Sequence, residues 1–143
     1  MNGYLLDTNI LLHLMSGETT LLARMQAIGL NNCFISELTT AELLYGVAAS
    51  APERRAANRA RNEQALALFP GEQVLTVSGA LPTYAEVKAN LRRLGRLQGE
   101  FDMLIGSTAL THGLTLVTRN VRHFADVAGL GVENWVDGVA GRP

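Results

Sequence analysis

A chain of 143 residues with 48% hydrophobic side chains has the size of one domain and enough apolar mass for a continuous core. Its apolar runs are a few residues long, far short of the roughly 18 that a membrane span needs, and no basic signal-peptide region precedes them, so a cytoplasmic protein is expected. The formal charge of −1 hides an asymmetry: residues 54–96 hold eight of the twelve bases (Arg54, Arg55, Arg59, Arg61, Lys88, Arg92, Arg93 and Arg96) against the acids Glu63, Glu72 and Glu86, and the remainder is acidic.

Along the chain, YLL at residues 4–6 reads as a short buried strand and the apolar ILLHL as the start of a helix, expected over residues 9–15. Asp7 therefore falls at a strand-to-helix turn. It fits an N-cap there, worth about 0.5–2 kcal/mol, or a site residue, because open α/β sheets bind ligands outside the carboxyl ends of their strands. A second helix is expected over residues 20–28, then the strand CFIS. The single cysteine, Cys33, lies inside that strand and excludes an internal disulfide, while His13, His112 and His123 are too dispersed for a familiar zinc spacing. Helices follow over residues 40–49 and 53–68, then a strand in EQVLTV. After it come helices over residues 82–94 and 101–112, a strand in LTLVT and a last one in GVENW. Gly29, Gly95 and Gly113 stand where helices should stop. Strands alternating with helical segments predict a parallel α/β sandwich, with one domain over residues 1–136 and a poorly ordered tail over 137–143.

Two further acids sit like Asp7. Glu42 follows the second strand in FISELTTAELLYG, and Asp102 opens the helix of GEFDMLIGSTAL. Each has a local explanation: Thr39-Thr40-Ala41-Glu42 fits a capping box, and Asp102 would complement a helix dipole. All three, however, lie at helix N-terminal ends in apolar surroundings, and in a parallel sheet those ends share one edge. Three carboxylates there repel, and burial raises their pKa values, so the cluster is costly unless a cation occupies it. Oxygen ligands without Cys or His favour Mg²⁺ or Mn²⁺. Asp7 is thus read as a metal ligand supported by Thr8 and Asn9. Thr118 and Asn120 in LTLVTRN reach another strand's carboxyl end, where a hydroxyl or amide can orient water or a carboxylate, although Asn is also an ordinary turn residue.

Taken in order, YLLDTNILLHL, SELTTAELLYGV, GEFDMLIGSTAL, LTLVTRNVRHF and GLGVENW resemble the PIN-domain nucleases, and most closely the VapC toxins of bacterial toxin–antitoxin pairs. The resemblance implies a PIN-like three-layer α/β/α sandwich with a central, mostly parallel sheet of four to five strands. It implies a Mg²⁺-dependent endoribonuclease, with Mn²⁺ able to substitute, that acts on RNA, is blocked by a VapB-like antitoxin and forms a homodimer. It also implies that Asp7, Glu42 and Asp102 bind metal and that Asn120 joins them in catalysis, with Thr8, Asn9 and Thr118 in support. Two positions depart from the wider pattern: Asn120 stands where many PIN nucleases carry a fourth acid, and His123 where an acid often precedes the phenylalanine. Gly106 and Ser107 replace a frequent Ala-Ala pair. The basic middle would guide RNA phosphates, and the helix around Leu43, Leu44 and Val47, which reads by itself as core, would receive the antitoxin.

Three other functions fit parts of the pattern. A signalling receiver domain also gathers acids at a sheet edge, but it needs a lysine after its last core strand, and Lys88 is far from LTLVT. A catalytically silent PIN module would have no use for the three acids. A free-standing RNA-processing nuclease differs from a toxin in lacking an antitoxin gene upstream.

Overall fold

The strands of this protein are short, and their alternate residues serve two cores at once. In the computed structural model, which describes residues 3–137, the elements in chain order are β1 (Tyr4–Leu6), α1 (Thr8–Met15), α2 (Thr19–Ile28), β2 (Cys33–Ser36), α3 (Glu37–Ala49), α4 (Arg55–Leu66), β3 (Val74–Leu75), α5 (Leu81–Arg93), α6 (Glu100–Thr111), β4 (Thr115–Val117) and β5 (Val132–Glu133). Leu6, Cys33, Ile35 and Val117 face one core, shared with Ile10 and Leu11 of α1, Met25 of α2 and Leu43 of α3. Leu5 and Leu116 face the other, against Ile105 and Ala109 of α6 and Phe124. This period-two alternation, buried on both sides, gives a three-layer α/β/α sandwich.

The five strands are ordered β3-β2-β1-β4-β5 and their pairings are parallel. The order reverses between β1 and β4. There Leu6 pairs with Val117, so the next residues, Asp7 and Thr118, leave the sheet side by side. A turn through Gly113, with φ at 66°, brings the chain from α6 into β4; a left-handed backbone of that kind favours glycine. Gly29 and Gly95, the other expected helix stops, also have positive φ.

Two boundaries differ from the sequence expectation for local reasons. Ser36 caps α3 by accepting the amide of Leu38 at 3.0 Å, so the helix starts three residues earlier than residue 40 and the capping box of Thr39 and Glu42 does not form. Glu42 consequently lies in the second turn. β3 shrinks to two residues because the Gln73 side chain, rather than the backbone, serves the neighbouring carbonyls of Leu30 and Cys33, at 2.7 and 2.9 Å. Beyond the strand, the Val77 amide turns away to the Glu37 carboxylate at 2.8 Å.

The basic middle of the chain is split by the fold. α4 packs on α1 and α3, anchored by Asn62 Nδ2 donating to the Leu43 carbonyl at 2.9 Å, and presents Arg55, Arg59 and Arg61 outward. α5 packs on α6 in the opposite layer, carrying Arg92 and Arg93 with it. The arginines therefore border two faces rather than one patch. Of the tail expected over residues 137–143, residues 138–143 lie outside the described residues. Asp137 accepts both Arg119 Nε and Nη2 at 2.9 Å. No helix among the described residues is long and apolar enough to cross a membrane.

Candidate active site at the sheet switch point

The register of β1 against β4 fixes the first acid. The Asp7 amide donates to the Val117 carbonyl at 2.8 Å, extending the β1–β4 ladder by one bond, and the side chain is left 5% exposed at the head of α1. Asp7 is an N-cap, as its residue type suggested, with Oδ1 accepting the Thr8 amide at 2.8 Å. Its second oxygen is occupied from the neighbouring strand, where the buried hydroxyl of Thr118 donates to Oδ2 at 2.9 Å. Thr118 Oγ1 in turn accepts the Asn120 amide at 3.0 Å. Asn9 ties the two chain ends together: its Nδ2 lies 3.3 Å from Thr118 Oγ1 and its Oδ1 accepts the Arg119 amide at 3.1 Å.

Glu42 is brought in from β2's side. Thr8 Oγ1 donates to Glu42 Oε1 at 2.5 Å and lies 2.9 Å from Thr39 Oγ1. A hydroxyl has one proton, so with Thr8 donating to the carboxylate it is the buried Thr39 that donates to Thr8. Thr39, part of the expected capping box, instead belongs to this relay. Asp102 comes from the far layer, in the first turn of α6, and its Oδ2 is 3.0 Å from His123 Nδ1.

Electrostatically the three acids share one space. Burial pushes the Asp7 carboxyl above its ordinary value of 3.8, the hydrogen bonds from Thr118 and Thr8 oppose this, and the charges of Asp102 and Glu42 raise it further. Among the described residues no arginine, lysine or histidine forms an ion pair with Asp7 or Glu42. Each acid is turned to its own donor, and as the side chains lie no group of three Asp, Glu, His or Cys residues among those described encloses a metal position. The donor set is nevertheless entirely oxygen, which is what a hard divalent cation takes, partly through water.

The other expected site residues divide. Thr8, Asn9 and Thr118 join the network directly. Asn120 is exposed, at the start of the turn that follows β4, and contributes its backbone amide rather than its side chain to the bonds around Asp7. Two participants, Thr39 and His123, were not assigned site roles from sequence. For His123 the sequence offered only its departure from the wider family pattern before Phe124, with nothing local to point at Asp102.

Beside Glu42 a cavity of about 670 Å³ opens between α1, α3 and α4, bordered by Thr8, Leu12, Tyr45, Arg61 and, from α6, Phe101. Its surroundings separate the three residues expected to receive a partner helix: Leu43 and Val47 are buried, whereas Leu44 is 63% exposed.

Comparison with known proteins places this architecture. A family model described as PIN domain matches residues 4–130. Among curated proteins, the chain is 37% identical over 142 residues to "Ribonuclease VapC2" of Haemophilus influenzae, covering 95% of this chain and all of the relative. It is 34% identical over 141 residues to "tRNA(fMet)-specific endonuclease VapC" of Shigella flexneri, covering 94% and 99%. Among solved structures, DNA-bound VapBC from Salmonella typhimurium superposes with a TM-score of 0.85 at 28% identity, over 94% of this chain and 99% of that one.

Proposed function

We propose that this chain, which belongs to the PIN domain family in its VapC-type branch, is a Mg²⁺-dependent endoribonuclease and the toxic member of a toxin–antitoxin pair. The observation that carries the reading is Asp7: a buried carboxylate at the switch point of a parallel sheet, held by neutral donors, without a cationic partner among the described residues and crowded by two further negative charges. An uncompensated buried charge is destabilising, and a divalent cation supplies the missing compensation.

In this reading Asp7, Glu42 and Asp102 hold the ion, Mg²⁺ in the cell with Mn²⁺ able to replace it. When bound, it supplies Lewis acidity to water and to a phosphoryl oxygen, the chemistry that hydrolysis of an RNA phosphodiester requires. The chain's own part is orientation. Thr118 and the Thr8 amide fix the plane of the Asp7 carboxylate, and the Thr39–Thr8 relay aims Glu42. Asn120, exposed beside them, offers a neutral amide to water or substrate. With three acids the formal charge is −3, which suits one Mg²⁺ better than two closely spaced ions. The exposed arginines of α4, with Arg61 on the wall of the cavity, would draw RNA phosphates toward Glu42.

The partner is a VapB-like antitoxin whose amphipathic helix would lie over the α3–α4 groove, against exposed Leu44. A homodimer is expected, with α5 and its exposed end residues Leu81 and Leu94 as one surface; light scattering showing only monomer at micromolar concentration would count against it. The site of action is the cytoplasm. The test of the whole reading is to induce the protein, sequence the new 5′-phosphate RNA ends, and repeat the cleavage in vitro with EDTA. Metal-dependent ends that vanish in Asp102→Asn support it; cleavage undiminished by EDTA or by that substitution would overturn it.

A further inference from the structure

Each of the three acids is gripped on one oxygen by a side chain from another segment: Asp7 by Thr118, Glu42 by Thr8 and Asp102 by His123. The first two grips come from hydroxyls at the carboxyl ends of β1 and β4, Thr8 and Thr118. The third comes from the turn Val121–Phe124, and the way that turn is held makes His123 more than an incidental neighbour.

The turn is fixed at both ends. At its start the Asn120 amide is bound to Thr118 Oγ1, and the His123 amide donates back to the Asn120 carbonyl at 3.0 Å. At its end Phe124 is 2% exposed in the core beneath α6. Phe124 can lie there because residue 106 of α6 is glycine: a Cβ at that position would stand 3.3 Å from the Phe124 ring, tighter than an ordinary contact. The close approach of turn and helix sets His123 over the first turn of α6, its Nδ1 3.0 Å from Asp102 Oδ2. The other oxygen of Asp102, Oδ1, accepts no hydrogen bond from the described residues. One oxygen is held and the other is left free.

We propose that His123 is a positioning residue: its Nδ1–H donor immobilises Asp102 through Oδ2 and leaves Oδ1 free for the divalent cation that the acids would hold. The inference rests on the proposed metal site and adds to it a residue at the position where the wider family pattern carries an acid. An imidazole N–H can donate to the carboxylate, which an ionised acid there could not do, since a carboxylate beside Asp102 would add a charge rather than orient one. A purely structural role is a weak alternative, because both partners reach solvent, with side-chain exposures of 48% and 29%, and a solvent-exposed polar contact of that kind adds little to stability.

The experiment measures Mn²⁺ binding to the purified, RNA-free protein by electron paramagnetic resonance, with thermal melting of the metal-free proteins alongside. The variants are His123→Ala, His123→Asn and Asp102→Asn. The Asn side chain carries its Nδ2 on the same Cγ as the imidazole Nδ1, so it can restore the donor. The expected result is that His123→Ala weakens Mn²⁺ binding about 10- to 100-fold with little change in melting, and that His123→Asn recovers most of it. Unchanged binding in His123→Ala, or equal losses in the Ala and Asn variants, would overturn the positioning role. If Asp102→Asn itself bound Mn²⁺ like the wild type, the metal-site reading beneath it would fail instead.

Discussion

Two carboxylates in this molecule live under opposite conditions, Asp7 at the sheet switch point and Glu100 at the exposed start of α6. Glu100 has a cation of its own. Lys88 Nζ lies 2.6 Å from Oε2, the Tyr84 hydroxyl donates to the other oxygen, and these bonds hold its carboxyl below the ordinary value of 4.5. Asp7 has only neutral donors, the Thr8 amide, the Thr118 hydroxyl and, at 3.4 Å, the Asn9 side-chain amide; it is buried and titrates above its ordinary value. The surface acid is satisfied within the chain, while the buried one carries a charge for which no described residue compensates. That contrast separates a structural carboxylate from one suited to a ligand.

The sharpest way to break it is Asp7→Asn. The amide oxygen still accepts the Thr8 amide, so the cap survives. RNA cleavage should be abolished while the metal-free fold gains stability at neutral pH. The sign follows from linkage. A carboxyl whose folded pKa is raised stabilises the fold fully below its unfolded value near 3.8, and that stability is lost as pH rises through the folded pKa. The advantage of Asp7→Asn should therefore be present at pH 7 and close as the pH approaches 3. Melting curves against pH check this; a variant less stable than wild type at pH 7 and equally active would put Asp7 back among ordinary caps.

A smaller effect is expected from Thr118→Val, which removes the donor to Asp7 Oδ2 and the acceptor for the Asn120 amide. Leaving buried polar groups unpaired should cost about 1–3 kcal/mol in a denaturant titration, with metal affinity about 10- to 100-fold lower. Next is Asn120→Ala, which disturbs no side-chain bond to the acids. Turnover should fall about 10- to 100-fold while metal affinity stays put. Should it match Asp7→Asn in both measurements, Asn120 would be a direct ligand. The least effect belongs to the other member of the comparison: Glu100→Gln should leave cleavage unchanged and lower the melting temperature slightly. Because the folded pKa of Glu100 is depressed, that loss should appear above pH 4.5, fade as pH falls below it, and shrink in high salt.

The places of Asp7 and Thr118 were legible because they depend on strand periodicity and turn chemistry alone, whereas Glu42, expected at a helix start, lies a turn further into α3. YLL followed by Asp7 must leave a parallel strand at its carboxyl end, and LTLVT must bring Thr118 to the same edge. Less legible was the choice between caps: Ser36 and Thr39 are both good N-caps, and the buried face of α3, not residue type, selects Ser36. The division of the arginines depended on chain reversal. Strands β1 to β3 step toward one edge and β4 and β5 toward the other, and right-handed crossovers in opposite directions place α4 and α5 on opposite faces. His123 was seen only as a departure from a pattern, since its contact with Asp102 arises from Phe124 seating over Gly106, a packing event between segments far apart in sequence.

Calorimetric titration of Mg²⁺ into the metal-free, antitoxin-free protein, run side by side on wild type and Asp7→Asn, addresses the central claim most directly. The account predicts a saturable site in the wild type that disappears in a folded Asp7→Asn protein; equal affinity in the two would contradict it.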